Sequence, residues 1–125
     1  MNEEYVKEIA NTAWQQLFWS VQIPVVMSWG ISKKYCTTYK GMPTLMLRVS
    51  ALIHKGWVYI SLNEATDTYE VRLMDTQHKC KKTTEDIYCD NLGSIIDGLI
   101  EKPLSMTDEE YQERAIADSR KKMIG

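Results

Sequence analysis

Residues 44–54, 57–63 and 68–75 each alternate apolar and polar side chains, and the apolar sets of all three fit on one face. A two-residue turn at Lys55-Gly56 would set Ile53 opposite Val58, Ala51 opposite Ile60 and Val49 opposite Leu62. A turn through Glu64, Ala65, Thr66 and Asp67 would set Leu62 opposite Tyr69, Ile60 opposite Val71 and Val58 opposite Leu73. A slip of one residue would place Val beside Ser or Arg, so burial of one face fixes the register. The pattern predicts an antiparallel meander at the centre of the fold. Its inward side chains are Leu45, Leu47, Val49, Ala51, Ile53, Val58, Ile60, Leu62, Tyr69, Val71 and Leu73.

The flanks read mostly as helix. Asn2 is a capping residue, and Glu3 and Glu4 suit the positive end of a helix running to about Ser20. Val6, Ile9, Ala10, Ala13 and Leu17 recur at three- and four-residue spacing and make one apolar stripe, widened by Tyr5, Trp14 and Phe18. Pro24 stops that helix from continuing. The alternation of Val25, Met27, Trp29 and Ile31 predicts a strand over 25–31, and residues 32–43 read as a loop. The polar stretch 78–84, with Lys79, Lys81 and Lys82, fits a fourth meander strand whose lysines guard an edge. Asp90 would cap a helix over 90–101, with Leu92, Ile95, Ile96, Leu99 and Ile100 facing the sheet. Gly93 and Gly98 weaken that helix by about 1 kcal/mol each relative to Ala, so it relies on packing. Thr107-Asp108-Glu109-Glu110 is a capping box opening a mostly polar, loosely docked helix over 107–122. The expected fold is α+β. Residues 1–103 form one domain, with helices on one face of an antiparallel sheet of four or five strands, and 104–125 form a helical extension.

Composition narrows the function classes. The chain has 125 residues, 44% hydrophobic and 26% charged, which is the balance of a globular domain. A net charge of −2 gives no global attraction to nucleic acid or anionic membranes. Three cysteines, Cys36, Cys80 and Cys89, are too few and too irregular for a disulfide framework, so free thiols and a cytoplasmic location are expected. The acidic start has no basic segment leading into an apolar run, and residues 17–27 are too short and interrupted to span a bilayer.

The outward face of the meander carries the first candidate site: Arg48, His54, Trp57, Tyr59, Arg72 and Met74, with Ser50, Leu52, Ser61 and Glu70. Trp, Tyr, Met and Arg are enriched where proteins meet, so these six predict a contact surface for a protein partner or a second copy, unless the first or third helix covers them. Lysines interleaved with aromatics give a second candidate. Lys33 and Lys34 lie beside Tyr35 and Tyr39, and Lys79, Lys81 and Lys82 lie farther on, in the manner of phosphate-tracking, base-stacking surfaces. Of Cys36, Cys80, Cys89, His54 and His78, only His78 and Cys80 are closely spaced, and no second pair exists to complete a zinc site. No nucleophile, acid/base, Walker or dinucleotide motif is present, and His54 and Glu70 lie two rows apart. Asp86, Asp90 and Asp97 read as caps and solvated positions. The expectation is a non-enzymatic module without cofactor or metal, binding protein or itself, with nucleic acid as the alternative and no membrane role.

Overall fold

The structure, a computed structural model, describes residues 2–101. Helix α1 spans Glu3–Gln16 and tightens into a 3₁₀ turn, Leu17–Trp19. Asn2 Oδ1 accepts from the Glu4 N–H at 2.7 Å, so the first helix is capped as its sequence demands. Helix α2 spans Ile23–Ser28 and replaces the strand expected over 25–31. Pro24 sits in its first turn, where a missing N–H costs nothing. Val25, Val26 and Trp29 are the apolar residues that bury, with Ser28 beside them, which is helical spacing and not alternation.

Strands β1 (Lys33–Tyr39), β2 (Met42–Ser50), β3 (Lys55–Asn63), β4 (Thr68–Met74) and β5 (Cys80–Ile87) form one antiparallel sheet in chain order. β1 occupies most of the expected loop 32–43. It pairs on one side only and stays exposed along most of its length, so no apolar alternation betrays it. Lys40 and Gly41, both at positive φ, join it to β2 in the two-residue turn that matches strand twist.

The β3–β4 register is the one read from the sequence: Leu62 faces Tyr69, Ile60 faces Val71 and Val58 faces Leu73. The β2–β3 register differs. Leu45 faces Ile60, Leu47 faces Val58 and Val49 faces Gly56, so the partner of Ile60 moves six residues, from Ala51 to Leu45. An even shift leaves the same side chains inward. The connection is the loop 51–54, closed by the Ala51 N–H donating to the His54 carbonyl at 3.0 Å. Gly56 is a glycine for a different reason than a turn. Its φ is +149°, and a Cβ there would lie 2.4 Å from the Met74 carbonyl oxygen. Ile53, expected in the core, is in this loop and 55% exposed.

Helix α3 spans Leu92–Ile100. Asp90 does not cap it; Asn91 holds the cap position without a side-chain bond. A Cβ on Gly93 would lie 2.0 Å from the Leu17 carbonyl oxygen, so the helix backbone meets the 3₁₀ turn directly. Asp97 is buried, not solvated, and accepts from the Trp29 indole N–H at 2.8 Å. Ala10, Ala13, Leu17, Val26, Trp29, Leu92, Ile96 and Ile100 share one core with Leu45, Leu47, Val49, Val58, Ile60, Tyr69, Val71 and Leu73. All three described helices therefore lie on the predicted inner face, and the fold is α+β. The expected helix 107–122 and the extension 104–125 lie outside the described residues.

Candidate functional site

The outer sheet face carries a second, smaller cluster of Trp57, Tyr59 and Met74, with Tyr39 and Met46 packed on it. The register sets Lys33, Arg48, Trp57, Met74 and Cys80 in one row across the sheet, and Tyr35, Met46, Tyr59, Arg72 and Thr83 in the next. The following row, Thr37, Thr44, Ser61 and Glu70, is small at its centre: Thr44 and Ser61 are fully buried, and their hydroxyls lie 2.7 Å apart in a hydrogen bond. Such short side chains leave room for longer neighbours to lie down. The Tyr39 ring meets the Tyr59 ring edge-on at 5.4 Å and the Arg72 guanidinium at 5.1 Å. His78 stacks on Trp57 with centroids 4.9 Å apart, and its Nδ1 and the Tyr59 hydroxyl share a hydrogen bond of 2.5 Å. Burial, with Tyr39 adding to it, raises the Tyr59 pKa above the ordinary phenolic value. The Arg48 guanidinium lies 5.7 Å from the Trp57 ring, and Tyr35 lies 6.0 Å from it.

Five of the six residues expected as a contact surface, Arg48, Trp57, Tyr59, Arg72 and Met74, thus share the outer face but are mostly covered by one another and their neighbours, whereas His54 lies in the loop before β3. His54, Trp57, Tyr59, Arg72 and Met74 are buried, and Arg48 is half-buried. His54 serves the local backbone by donating from Nε2 to the Trp57 carbonyl at 3.1 Å. Glu70 accepts from Arg72 Nη2 at 2.6 Å and from Asn63 Nδ2 at 3.1 Å, so its carboxylate is engaged away from His54.

Two donors on this face are left over. Arg72 Nη1 and Trp57 Nε1 are buried and have no hydrogen-bond partner among the described residues. A buried donor without an acceptor costs about 1–3 kcal/mol. Arg72 is 5% exposed and Trp57 6%, so neither donor reaches bulk water.

The five candidate lysines do not form one patch. Lys33 and Lys34 lie on β1, and Lys79, Lys81 and Lys82 lie on or beside β5, at opposite edges of the sheet. Four strand spacings put those edges about 19 Å apart. Lys33 lies in the Arg48 row on the outer face, whereas the Lys34 ammonium lies 4.5 Å from the Trp14 ring on the helix side. Pairing shifts from Met74–Cys80 to Leu73–Lys82, which leaves Lys81 as the bulged residue. Lys79 closes the turn before β5. Its N–H and that of Gln77 donate to the Asp75 carboxylate at 2.9 and 2.8 Å, and these backbone bonds hold the Asp75 pKa below the usual carboxylate value.

A third surface was not legible as a site in the residue pattern. Trp19, Ile23 and Met27, spaced four apart, are 62%, 61% and 41% exposed. Ile23 and Met27, one turn apart on α2, line a groove of about 280 Å³ with Trp14, Phe18, Val26 and Ile31, and Trp19 ends the 3₁₀ turn that precedes α2. The signal that could have found it is charge: no Asp, Glu, Lys, Arg or His occurs from Ile9 to Ser32. Tyr35 and Tyr39 stand out in the sequence beside the lysines, but the loop reading of 32–43 hid their place on the outer sheet face.

Among the described residues, no group of three His, Cys, Asp or Glu side chains is placed to hold a metal ion, and no helix is long and apolar enough to cross a membrane. All three cysteines are free thiols. No protein-family model matches the chain, and neither does a curated protein nor a solved structure.

Proposed function

We propose that this chain is a small non-enzymatic binding module that acts through protein contacts made by the ridge of Trp19, Ile23 and Met27. The observation that carries this reading is their joint exposure on a stretch without a single charge. Large contiguous apolar surface on a globular domain marks a place where something docks. Magnitudes set the scale of the interface. Fully burying one such side chain is worth about 1.5–3 kcal/mol, and these three are already partly buried. Association itself costs about 4–15 kcal/mol, so the ridge anchors a contact only together with the adjoining groove and its rim.

The outer sheet face, where self-association was first expected, supports this role less well, because Trp57, Tyr59 and Met74 are already packed. The test is a photo-crosslinking amino acid at position 23, followed by mass spectrometry and sedimentation velocity of the whole chain. A partner or a second copy should be captured through that position, and Trp19→Ser with Ile23→Ser and Met27→Ser should abolish capture while leaving the circular dichroism spectrum unchanged. A chain that sediments as a monomer and captures nothing would overturn the reading.

A further inference from the structure

We propose that the outer sheet face binds single-stranded nucleic acid, with bases stacking at Tyr35 and Trp57 and strand oxygens accepting from Arg72 and Trp57. This goes beyond the protein-contact reading and uses the opposite side of the sheet.

Charge supplies the first support. By strand alternation, the outer positions of β1 to β4 hold the cations Lys33, Arg48, Lys55 and Arg72 and one carboxylate, Glu70. Arg72 already neutralises Glu70 at 2.6 Å. The part of the face formed by β1 to β4 is therefore locally positive on a chain whose net charge is −2. Phosphates are drawn to such a strip without any help from the whole-molecule field.

Stacking supplies the second. Tyr35 is 53% exposed and lies beside Trp57, whose ring is flanked by His78 and Arg48. His78 belongs to an exposed turn and has a φ of +64°. A base on Tyr35 extends this stack outward, and a base displacing His78 meets the Trp57 ring in the same manner. Duplexes keep their base faces stacked internally, so a platform of rings selects single strands.

The third support is independent of both. Arg72 Nη1 and Trp57 Nε1 belong to side chains more than nine-tenths buried, lie on this face in adjacent rows of neighbouring strands, and have no acceptor among the described residues. Tyr39 lies over the Arg72 guanidinium and His78 over the Trp57 ring, so movement of those two rings uncovers both donors. A nucleotide strand offers what the pair lacks, acceptor oxygens held next to flat rings.

The test is fluorescence anisotropy of labelled oligo(dT) and oligo(U) of 15 nucleotides, with a duplex of the same length, at 50 and 200 mM salt. Single strands should bind, quench tryptophan fluorescence, and weaken as salt rises. Tyr35→Ala should weaken binding about fivefold or more, as loss of one stacked base does. Arg48→Ala should lower the salt slope by about 0.7, the share of one phosphate on a single strand. Glu70→Leu with Arg72→Met removes the ion pair as a unit, and circular dichroism should show it folded while affinity falls about tenfold or more. The Trp19, Ile23 and Met27 triple variant should bind oligonucleotide normally, so this proposal and the protein-contact reading fail separately. No anisotropy change at 50 mM salt, equal binding of the duplex, full competition by polyglutamate, or affinity unmoved by Tyr35→Ala would each overturn the proposal.

Discussion

Glu70 and Arg72 are two residues apart on one strand, face the same way, and are both buried. Desolvation makes such a pair weak evidence for stability, but breaking it leaves a charge inside the protein. Glu70→Ala should therefore cost about 3–5 kcal/mol in urea denaturation, and adding Arg72→Met should recover most of that loss. A protein no less stable with Glu70→Ala would show that the guanidinium finds water in the native state. Tyr69 gives a pH signature. Burial pushes its phenol up to about 12, and its hydroxyl donates to Gln16 Oε1 at 2.6 Å. The folded pKa lies above the unfolded value of 10.0, so the folded state holds the proton more tightly. This contribution is whole below pH 10 and is lost as pH rises toward 12. Stability followed by urea titration from pH 8 to 11.5 should fall at the alkaline end, and Tyr69→Phe should flatten that fall.

At the scale of elements, the helix-to-turn contact at Gly93 is the least forgiving join. A Cβ there meets the Leu17 carbonyl oxygen, a backbone atom that cannot rotate away. Gly93→Ala should destabilise the domain by about 1–3 kcal/mol, the range for overpacking, and should lower the thermal midpoint, although alanine is the better helix former. Gly98→Ala, with open space at its Cβ, is the matched control. The sequence alone conveyed elements whose burial is one-sided. α1, β3, β4 and α3 have an apolar stripe or alternation, and the β3–β4 pairing followed from it. It misled where burial was two-sided or absent. β1 is an edge strand with little apolar signal, and in α2 the alternation of Val25, Met27 and Trp29 imitates a strand although Met27 turns outward and Val26 inward. The β2–β3 register was missed because Gly56 looked like a turn glycine, when its job is to let β3 pass close to the Met74 carbonyl.

Across the described residues, each strand pairs with its neighbours in sequence, while the helices before and after the sheet converge on one face. The contents of the outer face were readable from strand alternation, since Trp57, Tyr59, Arg72 and Met74 do lie together. How far they cover one another was not, because that depends on Tyr39 and His78 arriving from segments with no outward pattern. The apolar ridge lay in plain view as uncharged sequence, but its exposure depends on which face of α2 turns to the core. One small feature binds these layers into a single unit. The loop 51–54 hands its Ile53 N–H to the Ile100 carbonyl at 2.8 Å and its Leu52 N–H to the Glu101 carboxylate at 2.5 Å. Those acceptors lie nearly fifty residues downstream, at the tail of α3. The bend between β2 and β3 is thus latched by the end of α3 and not by its own strands, which makes that corner the clasp between sheet and helix layer.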